Sequence, residues 1–142
     1  MSEENVDLLR RGFDLFARGE IDALLELLHD DAEWAPGIAP ILGVESLHGK
    51  EQIRRFFTKD LYEGFDSFHA EPQSMQDFGD EILVESRYAG RGESSGLEMD
   101  QVYWSVYWIR DGKLAAFRDY ETREQALDAI AATTRAASSP RT

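Results

Sequence analysis

The stretch Glu98-Met-Asp-Gln-Val-Tyr-Trp-Ser-Val-Tyr-Trp-Ile-Arg110, followed by Asp111-Gly112 and Lys113-Leu-Ala-Ala-Phe-Arg-Asp-Tyr-Glu121, reads as a long β-hairpin. Its first strand alternates, yet both faces are mostly apolar or aromatic. Met99, Gln101, Tyr103, Ser105, Tyr107 and Ile109 share one face; Val102, Trp104, Val106 and Trp108 share the other. A strand of this kind belongs to a sheet with something packed on each side. The returning strand ends in Arg118-Asp119-Tyr120, which sets a carboxylate among aromatic residues. A covered sheet with polar atoms on one inner face predicts a pocket.

The hairpin register decides where Asp119 points. A two-residue Asp111-Gly112 turn sets Asp119 opposite Trp104, whereas a three-residue Arg110-Asp111-Gly112 loop with a glycine bulge sets it opposite Tyr103. Both loops accept Asp-Gly. The three-residue loop is favoured, because it also pairs Trp104 with Arg118 as a cation–π contact on the outer face.

Working back toward the start, residues 3–18 space Val6, Leu9, Phe13 and Phe16 as a helix, with Gly19 as its stop. A second short helix holds Leu24, Leu25 and Leu28 and ends at His29-Asp30-Asp31. Ala32-Glu33-Trp34 reads as a short strand stopped by Pro36-Gly37. Residues 37–48 form an apolar loop, and residues 49–62 return to helix with Ile53, Phe56, Phe57 and Leu61 on one face. Strands over residues 65–77 and Glu81–Gly90 precede the hairpin. Thr122-Arg-Glu-Gln125 fits a capping box for a last helix through about Ala132. Helices first and antiparallel strands after them make an α+β pattern.

The chain's 142 residues fit one domain with its own core. No apolar run approaches the roughly 20 residues that span a bilayer, and no signal-peptide pattern opens the sequence. Cysteine is absent, so thiol and disulfide chemistry is excluded and a cytoplasmic location is expected. The net charge of −13 repels phosphate backbones and anionic membranes, so neither nucleic acid nor a membrane is an expected partner. His29, His48 and His69 are scattered without the paired spacing of a metal site, so no metal is expected. No glycine-rich phosphate loop follows a strand, and no cofactor is expected.

Several segments together resemble the nuclear transport factor 2-like superfamily in its SnoaL-like branch, which includes polyketide cyclases, ketosteroid isomerases and limonene epoxide hydrolases. They are Glu4 through Phe16, Gly19–Leu24, Leu28–Trp34, Leu47–Phe57, Ile109–Leu114 and Phe117–Tyr120. The resemblance implies a curved antiparallel sheet wrapped by N-terminal helices into a cone with an apolar cavity, the α+β roll. It implies a single SnoaL-like domain over residues 1–134, with residues 135–142 a frayed tail. Asp119 matches the aspartate that serves as a catalytic acid in the epoxide hydrolases. Their Arg-x-Asp pair on an earlier strand falls here on Ser86 and Tyr88. The position of the ketosteroid isomerases' general base holds Ala35-Pro36, and their helix-one tyrosine falls near Gly12.

The resulting expectation is a cofactor-free isomerase, cyclase or hydrolase using Asp119 as acid or base on an apolar, oxygen-bearing small molecule. Tyr88, Tyr103, Trp34, Gln101, Ser105, Tyr107 and Phe117 are the candidate ligand-binding residues, with Tyr88 and Tyr103 orienting the substrate. A non-catalytic ligand-binding or scaffold dimer of the same fold is the alternative. The Val102, Trp104, Val106, Trp108 face, with Leu83, is expected to join two copies, unless the terminal helix covers it.

Overall fold

The computed structural model describes residues 2–138. Helix α1 (Ser2–Ala17) carries Glu3 and Glu4 in its first turn, where negative charge suits the helix dipole. Gly19, at φ +73°, turns the chain into α2 (Ile21–Glu26). That helix stops before His29. Leu28 already pairs with Leu114, and the Leu114 N–H donates to the Leu27 carbonyl, so the sheet claims this backbone first. His29-Asp30-Asp31 therefore lies inside strand β1 (Leu28–Ala35), not at a helix end.

The apolar segment after Pro36 is not irregular throughout. It forms a 3₁₀ turn at Ala39–Leu42 and a short strand β2 (Leu47–His48). Helix α3 (Lys50–Arg55) runs through a π-helical turn at Phe56–Asp60 into α4 (Leu61–Gly64). The extra residue in a π turn lets the consecutive Phe56 and Phe57 both face inward, their ring centroids 5.7 Å apart. Strands β3 (Ser67–Asp77), β4 (Glu81–Arg91), β5 (Glu98–Arg110) and β6 (Lys113–Tyr120) follow, then α5 (Arg123–Ser138).

The six strands make one curved sheet in the order β2-β1-β6-β5-β4-β3. It is a mixed α+β architecture. The sheet is antiparallel except where β1 lies parallel to β6, a pairing that the expected all-antiparallel sheet lacks. Those two strands are remote in sequence, so no tight hairpin forces them to run in opposite directions.

The hairpin adopts neither expected register. Asp111 (φ 53°) and Gly112 (φ 75°) both take the left-handed conformation that a two-residue I′ turn requires, and Arg110 pairs with Lys113. A bulge then shifts the ladder, so that Ile109 faces Leu114 but Trp108 faces Ala116. The extra residue sits on β6, not in the loop. Asp119 consequently lies opposite Ser105, and Arg118 lies opposite Val106. The guanidinium of Arg118 sits 5.5 Å from the ring centroid of Tyr120, not on Trp104.

The inner face of the sheet and the helices α1–α4 enclose the main core, built on Leu28, Trp34, Ile53, Phe56, Ile82 and Val84. The outer face is partly covered by α5, which docks Ala126 and Ile130 on Leu83 and Val106. Thr122 and Gln125 form the reciprocal cap that starts this helix. Its backbone continues past Ala132 to Ser138, into the stretch expected to fray; residues 139–142 lie outside the described residues. Val106 is fully buried beneath it, and the Trp108 indole N–H donates to Thr133 Oγ1 at 3.1 Å. The four-residue face expected to join two copies is thus in part an intramolecular core, because α5 reaches it. Of that set, Val102 stays exposed, at 38%. Among the described residues, no helix is long and apolar enough to cross a membrane.

Candidate functional site

The curvature of the sheet and the helices across it leave a cavity of about 80 Å³. Its walls come from α1 (Leu9, Phe13, Phe16), β1 and the turn after it (Trp34, Pro36, Ile38), the π turn (Phe56, Phe57), and the strands (Phe68, Tyr88, Tyr107, Phe117). Half of the lining residues are aromatic. They brace one another: Trp34 and Phe117 lie 4.8 Å apart, Tyr107 and Phe117 4.8 Å, and Phe13 meets Tyr107 edge-on at 6.1 Å. Asp119 is the one ionisable carboxyl among the described lining residues.

Asp119 sits at the centre of a small polar cluster. Its Oδ1 accepts hydrogen bonds from Ser105 Oγ (2.5 Å) and from the Tyr88 hydroxyl (3.0 Å). Its Oδ2 accepts from the backbone N–H of Gly37 at 2.8 Å. Ser105 Oγ also lies 2.9 Å from Ser86 Oγ, so a chain of hydroxyls leads back into the sheet. Asp119 is half-buried and lines the cavity. Burial raises its pKa from 3.8 to about 6, against the lowering pull of the Gly37, Ser105 and Tyr88 donors. Burial, followed by the nearby charge of Asp119, raises the phenols of Tyr88 and Tyr107 well above their ordinary value, so both stay protonated donors.

The three inner-face tyrosines have different roles. Tyr88 already donates to Asp119. Tyr103 packs its ring against Gly37, where an added Cβ would lie 2.4 Å from a ring carbon, and its hydroxyl reaches the Gly37 carbonyl at 3.5 Å. Tyr88 lines the cavity with its proton committed to the carboxylate, and Tyr103 is not among the lining residues but packs on the turn beside it. Tyr107 differs. It lines the cavity and is 7% exposed, yet its hydroxyl makes no hydrogen bond to any described residue. Among the described residues no fully buried side-chain polar atom lacks a partner, so this hydroxyl retains open surface.

Of the other expected residues, Trp34 and Phe117 line the cavity. Ser105 is fully buried and acts on Asp119, not on the cavity directly. Gln101 is exposed, beyond the covered part of β5, and does not reach the cavity. The cluster also includes Ser86, placed where the resemblance carried an Arg-x-Asp pair, and the Gly37 amide. No residue type announces a backbone N–H, and Gly37 reads in the sequence only as a strand stop. Phe13, Phe16 and Phe57 read only as apolar helix faces, and Phe68 does not stand out within its strand; which of them border empty space depends on the sheet's curvature. Among the described residues, no group of His, Asp and Glu is arranged to hold a metal.

A family model described as a SnoaL-like domain matches residues 9–117. No curated protein matches the chain. Solved structures do. TerC, co-crystallised with polyporic acid, is similar at a TM-score of 0.72 and 18% identity over 90% of this chain and 98% of that one. A provisionally assigned SnoaL-like polyketide cyclase from Jannaschia Sp. CCS1 gives 0.70 and 21% over 99% and 96%. A provisionally assigned polyketide cyclase from Sinorhizobium meliloti gives 0.65 and 25% over 80% and 93%.

Proposed function

The chain belongs to the SnoaL-like family, and on that premise we propose that it binds a small apolar, oxygen-bearing molecule in its cavity and uses Asp119 as a cofactor-free acid or base. One observation carries this reading: a buried carboxyl titrating at about 6 borders the same hollow as the unpartnered hydroxyl of Tyr107. A carboxyl with that pKa gives or takes a proton near neutrality. A protonated phenol beside it stabilises the oxygen on which charge develops when a proton leaves the neighbouring carbon. Isomerases and aldol-type cyclases share that step, whereas an epoxide hydrolase would use the same carboxyl to move a proton between oxygens. The related TerC holds polyporic acid, which supports a small-molecule role for this fold.

Size narrows the ligand. A cavity of about 150 Å³ is known to take up benzene, so the 80 Å³ here encloses a head group of few heavy atoms and not a polycyclic skeleton. Deuterium exchange next to the carbonyl of acetone or butanone, followed by NMR in heavy water, tests the proposal. Exchange accelerated by wild type, rising as pH passes about 6 and lost in Asp119→Asn, is the expected result. A protein that neither accelerates exchange nor is stabilised by either ketone in a thermal-shift assay refutes it. Stabilisation without exchange leaves the alternative, a ligand-binding protein without turnover.

Self-association of two cytoplasmic copies is a second, separate reading. The half-buried indoles of Trp104 and Trp108 and the exposed Val102 favour it. Sedimentation at twice the chain mass of 16.2 kDa supports it, and sedimentation at the chain mass refutes it.

A further inference from the structure

Resting on the reading that the cavity receives a small molecule, we propose that the occupant it holds most tightly is a small organic ammonium ion. Its alkyl groups lie against the aromatic walls and its positive nitrogen faces the carboxylate of Asp119.

The argument starts from charge. Asp119 accepts hydrogen bonds from Gly37, Ser105 and Tyr88, all uncharged, and forms no ion pair with a described residue. Elsewhere the chain pairs its carboxylates readily. Arg87 meets Asp100 through two hydrogen bonds of 2.8 and 2.7 Å and lies 3.7 Å from Glu71, all on the exposed sheet surface. At the cavity no such cation is supplied: no Lys, Arg or His is among the described lining residues. A carboxylate has room for about four hydrogen bonds, and Asp119 receives one on Oδ2 and two on Oδ1. Oδ2 therefore keeps acceptor capacity, and Asp119 is half-buried and lines the cavity.

The walls add a second attraction. Aromatic faces carry negative charge density and attract cations, most strongly when water is excluded. Trp34, Phe57, Phe68, Tyr107 and Phe117 line the hollow, whose small volume suits a tetrahedral ammonium head better than a fused ring system. A neutral alcohol of the same shape leaves the buried charge uncompensated, and an anion meets that charge with no described cation to offset it.

The test uses three probes of similar bulk on the isotope-labelled full chain: tert-butylammonium, tert-butanol and isobutyrate, titrated by NMR at pH 7.5. Tert-butylammonium is expected to shift cavity resonances with a dissociation constant at least about tenfold below that of tert-butanol, and isobutyrate to shift none. The advantage should shrink to within about twofold in Asp119→Asn. It should also shrink in wild type as pH falls below about 6, while tert-butanol binding holds steady, so a variant that fails to fold still leaves a decisive arm. Tert-butanol binding as tightly as tert-butylammonium overturns the proposal and spares the small-molecule reading. An ammonium preference that survives both Asp119→Asn and acid also overturns it. If none of the three probes binds, both readings fall.

Discussion

The two faces of β5 are alike in apolarity and opposite in how they are finished. On the outer face, Val106 is fully buried against Ala126 and Ile130, and the polar atom of Trp108 finds Thr133 on the covering helix. Where α5 lands, those requirements are met within the chain, while Trp104 stays half-buried and Val102 exposed. On the inner face, Ser105 and Tyr107 each stand one step from a tryptophan of the outer face, yet the packing stops short. A hollow remains, and among the described residues a phenol has no hydrogen-bond partner and a carboxylate no counter-charge. Apolar surface alone did not distinguish a core from a site in this strand. The distribution of polar partners did, because a buried polar group left unanswered is costly unless something outside the chain answers it.

The largest test of this contrast is the pH dependence of stability. Asp119 titrates at 3.8 in the unfolded chain and at about 6 when folded. Between those values the folded state holds the extra proton, so its stabilising effect is complete below about 4 and is lost as pH rises through about 6. A shift of roughly two units amounts to about 3 kcal/mol. Chemical denaturation from pH 4 to pH 7 should show that loss at this position in wild type and its absence in Asp119→Asn. Equal slopes in the two proteins place the carboxyl in water and break the contrast at its centre. The outer face provides the control. Ile130→Ala should cost about 2 kcal/mol by the same measurement, at every pH, because it removes only packing. It should leave ketone or tert-butylammonium binding unchanged, and a change in binding there shows that the two faces are coupled.

Much of the frame was legible in the residues. Alternation in β5 marked a sheet covered on both sides, and the Thr122–Gln125 spacing marked the start of α5. The fold's resemblance pointed to Asp119 before any coordinates. The register of that residue was not legible, for a physical reason. The turn obeys its local chemistry, with Asp111 and Gly112 both left-handed, but the bulge at Ala115 is set by how β6 fits between β1 and β5. One extra residue there reassigns every cross-strand partner beyond it. The outer face was ambiguous for a related reason. Trp104, Val106 and Trp108 give the same pattern whether a second copy or the chain's own helix covers them, and the choice depends on where α5 lands. Gly37 was invisible because its contributions are an amide and a missing side chain.

The smallest expected effect is the sharpest, because it compares one hydroxyl on each face. Thr133→Val removes the oxygen that receives the Trp108 indole N–H and should cost about 1 kcal/mol, or somewhat less where water reaches the half-buried indole. Tyr107→Phe removes a hydroxyl that no described residue uses, so stability should change by less than about 0.5 kcal/mol. The signs separate on ligand binding. Tert-butanol or butanone should bind several-fold more weakly to Tyr107→Phe and unchanged to Thr133→Val, since only the first removes a donor facing the hollow. Paired denaturation and NMR titrations measure both quantities on the same samples. A Tyr107→Phe protein as destabilised as Thr133→Val, with ligand affinity intact, would mean that the phenol is answered from within the fold, and the inner face would then be as complete as the outer.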